Sequence, residues 1–328
     1  MTTVELSEHW SVRVFQGTDT AALLDCWNRA LPLDGITVTD LERKVLLDAN
    51  YERESLLLVQ SGEGAIAGFA VCFVLNKPVE KVGHREDTGF VTALGVAPEF
   101  RGRGAGSTLL FAVEEFFLRR NRTQVLLAPY TPNYFVPGVD KDRYRDGITF
   151  LQNRGFFEYS EGIAADALVS TFELSDEILE KERRLAAEHI EIRPYRRGDL
   201  VDYIQFHREL MPGPWVEDAR RNLLELANGR FHEDAIWLAV DSKHNRIIGF
   251  CQHEHEHFGP FGVNDEFQGR GIGTVLLART MYQMRLRGCH SAWVLWTGER
   301  ALRGVYGRLG FKLTRRFAIM KKELVATP

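Results

Sequence analysis

Two glycine-rich segments of the chain have the composition of an anion-binding turn. The first reads Arg101-Gly102-Arg103-Gly104-Ala105-Gly106-Ser107, and 167 residues later the second reads Gln268-Gly269-Arg270-Gly271-Ile272-Gly273-Thr274. Each follows a predicted strand and opens an apolar-periodic helix, whose free N–H groups and dipole attract negative charge. Glycines at such a junction also let a phosphate approach the backbone. The sequence therefore predicts two phosphate-binding turns.

The common nucleotide-binding motifs do not fit these segments. A P-loop ends in Gly-Lys-Ser or Gly-Lys-Thr, and neither segment has that lysine. A dinucleotide-binding fingerprint needs a third glycine where Ser107 and Thr274 stand, and no acidic residue ends the next strand. A glycine-rich turn that binds nothing is the alternative. The repetition argues against it, because each segment follows Gly-Val and precedes an apolar helix.

A second group of chemically capable side chains is the run His253-Glu254-His255-Glu256-His257, on a predicted hairpin that leads into Gly262. In an extended conformation the three histidines face one way and the two glutamates the other. A metal site would need a fourth ligand that we do not find in the sequence, so we predict no metal. A solvated hairpin tip and a substrate contact both stay open. In the second case, Glu256 or His257 is the candidate general base.

The elements that position these segments occur twice in the same order. Four landmarks of the first half are repeated in the second: Gly68-Phe69 as Gly249-Phe250, Leu94-Gly95-Val96 as Phe261-Gly262-Val263, the glycine loop, and Gly155-Phe156 as Gly310-Phe311. Such a long period indicates a duplicated domain. We predict a first domain over 1–175, a charged linking helix with a solvated face over 176–189, and a second domain over 190–328.

Hydrophobic periodicity assigns the elements around the two loops. The assignments are strands at Gly89–Val96, Gln124–Pro129 and Ser291–Thr297, helices at Gly106–Arg119, Asp140–Asn153 and Gly273–Arg287, and a closing pair of strands over Phe156–Leu174. Strands alternating with helices predict an α/β fold for each domain.

Composition sets the class of protein and excludes several functions. The chain has 328 residues, 45% of them apolar and 26% charged, as expected for a soluble protein of two domains. Its net charge of −4 offers no basic field for nucleic acid. No apolar run approaches the ~18 residues of a membrane span, and the first residues lack the pattern of a signal peptide. The four cysteines are scattered, which fits a reducing cytoplasm. From charge, apolar runs and cysteines together, we predict a cytoplasmic protein that binds neither nucleic acid nor membrane.

Both loops and their flanks resemble the acetyl-CoA pyrophosphate loop of the GNAT N-acetyltransferase superfamily. The resemblance rests on Gly-Val-Ala-Pro-Glu-Phe before Arg101, on Gly-Val-Asn-Asp-Glu-Phe before Gln268, and on Val305-Tyr306-Gly-Arg-Leu-Gly-Phe311, which is similar to the family's Leu-Tyr-x-x-x-Gly-Phe. It covers essentially the whole chain as two tandem GNAT domains, an architecture broadly similar to mycothiol synthase and to uncharacterised bacterial tandem acetyltransferases. It implies that each domain is a mixed twisted sheet with helices on both faces.

The resemblance also implies acetyl-CoA as co-substrate and assigns its contacts. Main-chain N–H groups of both loops would hold the pyrophosphate. A backbone N–H near Val263 would stabilise the tetrahedral oxyanion. The backbone groups that would pair with the pantetheine arm, as an added strand does, belong to Leu94, Gly95 and Val96 in the first domain and to Phe261, Gly262 and Val263 in the second.

The two domains are predicted to be unequal. Tyr306 stands where the family places the tyrosine that donates to the departing sulfur, whereas the first domain has Leu151 there, which donates nothing. Either the first domain is catalytically weak or another group substitutes, such as the hydroxyl of Tyr134 or Tyr144; packing of these two side chains in their loop is the alternative. A core aromatic is the alternative for Tyr306.

The resemblance thus implies an N-acetyltransferase for a primary amine of a small molecule or peptide, with the second domain as the active half. An acyl-CoA-binding sensor or scaffold without turnover is the alternative function, and the oligomeric state does not follow.

Overall fold

The structure, a computed structural model, describes residues 10–325 apart from 79, 82, 84 and 132. It divides into two compact units. Unit 1 contains the chain up to Glu161 together with the segment from Phe317 onward, and unit 2 contains Gly162–Arg316. Within the described ranges, every helix is too short or too polar to cross a lipid bilayer.

The elements recur in the same order in the two halves of the sequence. The strands are β1 (Ser11–Val14), β2 (Leu56–Gln60), β3 (Ile66–Phe73), β4 (Thr88–Val96), β5 (Gln124–Leu127), β6 (Val139–Asp140), β7 (Phe157–Leu168), β8 (Ile190–Pro194), β9 (Ile236–Asp241), β10 (Arg246–Glu254), β11 (His257–Val263), β12 (Ser291–Thr297) and β13 (Lys312–Glu323). The helices are α1 (Thr20–Ala30), α2 (Val38–Leu41), α3 (Ala105–Leu118), α4 (Arg145–Gln152), α5 (Asp176–Ala187), α6 (Leu200–Leu210), α7 (Pro214–Ala227), α8 (Ile272–Leu286) and α9 (Glu299–Ala301). Two π-helical segments, Glu42–Leu46 and Leu302–Tyr306, continue α2 and α9.

Unit 1 is a mixed sheet covered on both faces. Its strands lie in the order β1-β2-β3-β4-β5-β13, and β4 and β5 run parallel while the other neighbours are antiparallel. Leu109 and Phe116 of α3 pack on one face, and Leu23 and Trp27 of α1 pack on the other. Burial on both faces explains why the central strands are continuously apolar instead of alternating.

Unit 2 repeats this plan with the order β8-β9-β10-β11-β12-β7, in which β11 and β12 are the parallel pair. Helices α5 and α8 cover one face, and α6 and α7 cover the other. Helix α5 lies where the sequence predicts the linking helix, but it packs as part of unit 2. Its Glu182 accepts a hydrogen bond of 2.9 Å from Arg279 of α8, and Leu185 is buried.

Each unit is closed by a strand that the repeat assigns to the other domain. Met320–Glu323 of β13 pair with β5 in unit 1, and β7 pairs with β12 in unit 2. The two final strands are therefore exchanged. The predicted boundaries 1–175, 176–189 and 190–328 follow the sequence repeat, whereas the compact units follow the exchanged strands.

Two local predictions differ from the structure. The closing pair of strands over Phe156–Leu174 is wrong, because the segment forms the single strand β7, which finds its antiparallel partner in β12 and does not fold back on itself. Helix α4 begins at Arg145 and not at Asp140. The Asp140 carboxylate accepts hydrogen bonds from the backbone N–H groups of Asp142 (3.0 Å) and Arg143 (2.9 Å), which fixes a turn before the helix.

The strand exchange predicts that a substitution near residue 320 acts on unit 1. Met320 is fully buried in the same core as Val125 and Leu127, so Met320→Ala should cost about 2–5 kcal/mol of unfolding free energy. Hydrogen exchange should show lost protection in β4 and β5 and retained protection in β9 and β10. The matched control is Leu313→Ala on the same strand, since Leu313 is exposed. An equal loss of protection in β9 and β10 would contradict the exchange of the final strands.

Candidate functional site

Both glycine loops connect the end of a central strand to the start of a long helix. Gly104 and Gly271 immediately precede α3 and α8, with φ values of 98° and 88°. This left-handed conformation costs glycine little, and it turns neighbouring N–H groups toward one side. Both loops therefore have the geometry of an anion-binding turn at a helix N-terminus.

The first side chain of each loop holds the turn in place. Arg101 donates from Nε to the carbonyl of Val96 and from Nη2 to the carbonyl of Ala30, both at 2.9 Å. Gln268 donates to the Asp265 carboxylate at 2.6 Å and to the carbonyl of Val263 at 3.4 Å. These side chains are thus engaged with the protein itself, which leaves the main chain of the loop to face a ligand.

The strand before each loop parts from its parallel neighbour. The pairing of β4 with β5 ends at Val91, while β4 continues to pair with β3 as far as Val96. In unit 2, β11 pairs with β12 at His257 and with β10 as far as Val263. One edge of each strand is therefore open beside its loop, and an extended ligand can pair with that edge.

In unit 1 the open edge borders a cavity of about 670 Å³. Leu151 lies in its wall and is buried, and Phe135 of the longer β5–α4 connection forms another part. The predicted cofactor residues that line it are Leu94, Val96, Arg101, Gly102, Gly104, Gly106 and Ser107. Gly95, Arg103 and Ala105 are not among its lining residues; the carbonyl of Arg103 accepts a hydrogen bond of 2.7 Å from the Trp10 indole.

In unit 2 the corresponding cavity has a volume of about 1110 Å³. The predicted cofactor residues that line it are Phe261, Gly262, Val263, Gln268, Gly269, Arg270, Gly271, Ile272, Gly273 and Thr274. Tyr306 lines the same cavity. The structure thus brings together every predicted residue of the second loop, the strand before it and the tyrosine.

Tyr306 is buried at the end of the π-helical segment that follows α9. Its ring packs against Phe258, Phe261 and Phe311. Burial raises the pKa of the phenol. The hydroxyl therefore keeps its proton at neutral pH, and it is suited to donate a hydrogen bond to a nearby anion.

Four cations of this cavity were not identified from the sequence, and one of them is Arg300 of α9. Lys181 and Arg184 of α5, together with Arg308, line the cavity beside the second loop. They surround Glu177, whose pKa is lowered by its hydrogen bond to Lys181 and, more weakly, by the charges of Arg308 and Arg184. The signal was helical spacing, because Lys181 lies one turn of α5 before the buried Leu185 and one turn before Arg184.

The histidine run does not form one extended face. His253 ends up buried in β10, and His255 sits in the turn with a φ of 51°. Because the chain reverses at His255, the three side chains do not converge. Over the described part of the chain, no three His, Cys, Asp or Glu side chains form a group that could hold a metal ion.

Glu256 and His257 are not brought to the cavity. Glu256 accepts hydrogen bonds from the backbone N–H groups of His290 (2.8 Å) and Ser291 (3.0 Å) and from the Ser291 hydroxyl (2.9 Å). His257 stacks on Trp293 with 4.2 Å between the ring centroids. Neither residue is among those that line the cavity. Their assignment as general base stays a prediction.

Two family models match the chain, one in each half. The Acetyltransferase (GNAT) family matches residues 21–134, which include the first loop, and the Acetyltransferase (GNAT) domain matches residues 232–313, which include the second loop and Tyr306. A comparison with curated proteins found no match.

Solved structures with the same fold include three that span nearly all of this chain. A GCN5-related glucosamine N-acetyltransferase region of a fungal multi-domain GH3 β-N-acetylglucosaminidase is 19% identical over 96% of this chain and 38% of its own, with a TM-score of 0.79. A GCN5-related N-acetyltransferase from Sphaerobacter thermophilus is 18% identical over 97% of both chains, with a TM-score of 0.69. A tandem GNAT protein of the clavulanic acid biosynthesis pathway is 16% identical over 98% of this chain and 100% of its own, with a TM-score of 0.64. At these identities the likeness concerns the fold.

The contacts of Glu256 predict a role in stability. Hydrogen bonds from Ser291 and His290 hold the pKa of this carboxyl below its usual range. Its charge therefore stabilises the folded state fully above the unfolded pKa of about 4.3, and this contribution is lost as the pH falls through the lower folded pKa. Glu256→Gln should unfold at a lower temperature than the wild type at pH 7, and the difference should shrink below about pH 4.

Thermal unfolding between pH 3 and pH 8 provides the measurement. The matched control is Glu63→Gln, which also removes a glutamate from a hairpin turn but at an exposed position. The control should not reproduce the pH-dependent difference. A Glu256→Gln difference that stays constant from pH 3 to pH 8 would contradict the role of the charge.

Proposed function

With two GNAT domains in tandem, the chain belongs to the GNAT acetyltransferase family, and we propose that it transfers the acetyl group of acetyl-CoA directly to a primary amine. The acceptor is a small molecule or a peptide, and the active half is unit 2. One observation carries the proposal. The second glycine loop, the open edge of β11 and the Tyr306 phenol all border a single cavity.

The residues of unit 2 suit the steps of thioester aminolysis. The amine nitrogen attacks the carbonyl carbon, and the negative charge that develops on the carbonyl oxygen is stabilised by a backbone N–H near Val263. The carbon–sulfur bond then breaks, and the Tyr306 hydroxyl donates a hydrogen bond to the departing thiolate. Because the phenol has a raised pKa, hydrogen bonding describes its role better than full proton transfer. The proton lost by the amine passes through water to the general base, and the thiolate takes a proton from solvent.

The charge distribution of the cavity supports CoA as the carrier of the acetyl group. CoA carries a pyrophosphate and a phosphomonoester, and the N–H groups of the second loop suit the pyrophosphate. Lys181, Arg184 and Arg308 add positive charge next to the loop. Within the described residues, no carboxylate lies within ion-pairing distance of Arg308, so its guanidinium is available to a phosphate.

Neither carboxylate in the wall of the cavity is free to act as the general base. The carboxylates that line the cavity are Glu188, which is paired with Arg270, and Asp265, which is hydrogen-bonded to Gln268. Both are therefore engaged at the loop end. Glu256 and His257 stay the candidate bases, and either would have to act through water because neither lines the cavity.

The proposed role of Tyr306 predicts the effect of Tyr306→Phe. Removing only the hydroxyl should lower kcat about tenfold to a hundredfold, the usual worth of a hydrogen bond to a charged group. The affinity for acetyl-CoA should change little. The measurement is release of the CoA thiol with a panel of primary amines. Tyr282→Phe, in the same unit but outside the cavity lining, is the control and should keep the wild-type kcat. An unchanged kcat for Tyr306→Phe would remove the residue from the mechanism.

The two loops predict two binding sites per chain. Gly104→Leu and Gly271→Leu each force a side chain into a left-handed backbone conformation at the start of a helix, which should distort that loop alone. Calorimetric titration of the wild type with acetyl-CoA should give two sites, and each variant should retain one. No binding to the wild type would refute the acetyltransferase proposal, and loss of both sites in one variant would show that the loops are not independent.

A further inference from the structure

One face of helix α5 is charged and lies beside the second glycine loop. Its residues recur at intervals of four, three and four positions, which places their side chains on one side of the helix. They are Glu177, Lys181, Arg184 and Glu188. Glu188 pairs with Arg270 of the loop, and Lys181 and Arg184 line the cavity of unit 2. The face is therefore part of the wall of the candidate site.

The side chain of Lys181 lies against the turn of the loop. Its Cδ atom is 3.8 Å from the point at which a Cβ atom on Gly271 would stand. In unit 1 the corresponding glycine is Gly104, and there the indole of Trp10 is 3.5 Å from the same point. The place beside the helix N-terminus is thus occupied by a cationic side chain in unit 2 and by an uncharged ring in unit 1.

Three cations of this region share one acidic partner. Lys181 is paired with Glu177, and the charges of Arg308 and Arg184 also act on that carboxylate. Neither arginine makes an ion pair of its own with the residues that the structure describes. Both arginines are exposed, so a ligand can reach them. The surplus of positive charge suits a phosphomonoester, which carries about 1.5–2 negative charges at neutral pH.

The location of these cations selects one part of a CoA molecule. The pyrophosphate is assigned to the main-chain N–H groups of the loop, and the pantetheine arm leads away from the loop along β11. The ribose of CoA carries the phosphomonoester and is itself attached to the pyrophosphate, so these two anionic groups lie close together. The adenine base is also near but has no negative charge. The phosphomonoester is therefore the group that the cations beside the loop would attract.

We propose that Lys181, Arg184 and Arg308 bind the ribose phosphomonoester of CoA, and that Glu177 weakens this binding because it competes for the same cations. Unit 2 then distinguishes CoA from dephospho-CoA, which has the same pyrophosphate and arm but lacks the phosphomonoester. Because salt screens exposed charges, the distinction fades at high ionic strength. The inference rests on the proposed function, because it requires that the second loop binds CoA.

Calorimetric titrations with CoA and with dephospho-CoA measure this preference, in the full chain carrying Gly104→Leu so that only the second loop binds. We expect CoA to bind about tenfold more tightly, as for one hydrogen bond between charged groups. Arg184→Gln combined with Arg308→Gln should bring the ratio of affinities close to one and leave the affinity for dephospho-CoA unchanged. The matched control is Arg183→Gln, since Arg183 is an exposed arginine of α5 outside the cavity lining. It should keep the preference.

Glu177→Gln gives a readout of the opposite sign. Removing the competing carboxylate should tighten CoA binding about twofold to fivefold, the range for an exposed ion pair, and should tighten dephospho-CoA binding less. A purely structural role for Glu177 would instead weaken the binding of both ligands. Glu180→Gln is the matched control, because Glu180 is on the same helix and pairs with Arg183 outside the cavity lining. It should leave both affinities unchanged.

Equal affinities for CoA and dephospho-CoA, before any change in α5, would overturn the inference. A preference that survives the loss of both arginine charges, or weaker CoA binding in Glu177→Gln, would also overturn it. The wild type should show the same preference at one of its two sites, so the test does not depend on the folding of the Gly104→Leu chain. Equal binding of the two ligands leaves the acetyltransferase proposal standing, whereas no binding of either ligand at unit 2 rejects both proposals.

Discussion

The candidate sites depend on a parallel pair of strands that stops pairing before the strands end. In each unit the central strand keeps its hydrogen bonds to an antiparallel neighbour on one side while its other edge opens. The open edge needs partners because backbone groups away from water are rarely left unpaired. The glycine loop lies at one end of this edge, so the anion-binding turn is next to the strand edge that can pair with an extended ligand. A ligand with a phosphate head and an extended amide arm satisfies both.

Local patterns in the sequence were sufficient to predict this arrangement. The strand β12 lies at the predicted residues, and α3 and α8 begin within one residue of the predicted starts. These elements were predictable because the periodicity of a strand or a helix is set by residues close together in the sequence. The exchanged strands β7 and β13 were not predictable, since their partners are far away in the sequence. Neither the cations of α5 nor the turn at His255 was predicted from the sequence. Both depend on the elements that pack beside them, which decide whether a charged helix face is exposed to solvent.

The two halves have kept one scaffold while their chemistry has diverged at few positions. Both retain the left-handed glycine before the helix and a side chain that fixes the loop to the strand. They differ where unit 2 has Tyr306 and unit 1 has Leu151, and at the residue where the parallel strands part, Gly259 or Thr92. Leu151 and Tyr306 are both buried in the core of their unit, so this difference exchanges one core side chain for another. The two units of such a duplicated chain can therefore differ in chemistry while the scaffold around them is kept.

The exchange of the final strands has a consequence for the synthesis of this protein on the ribosome. The sheet of unit 1 lacks its last strand until β13 has been made, because Leu127 pairs directly with Met320. During that time β5 is an unprotected sheet edge, the kind of surface that promotes aggregation. The closing contact also spans most of the chain, and such distant pairings form slowly. A newly made first half is thus a candidate client for a chaperone until the second half has been translated.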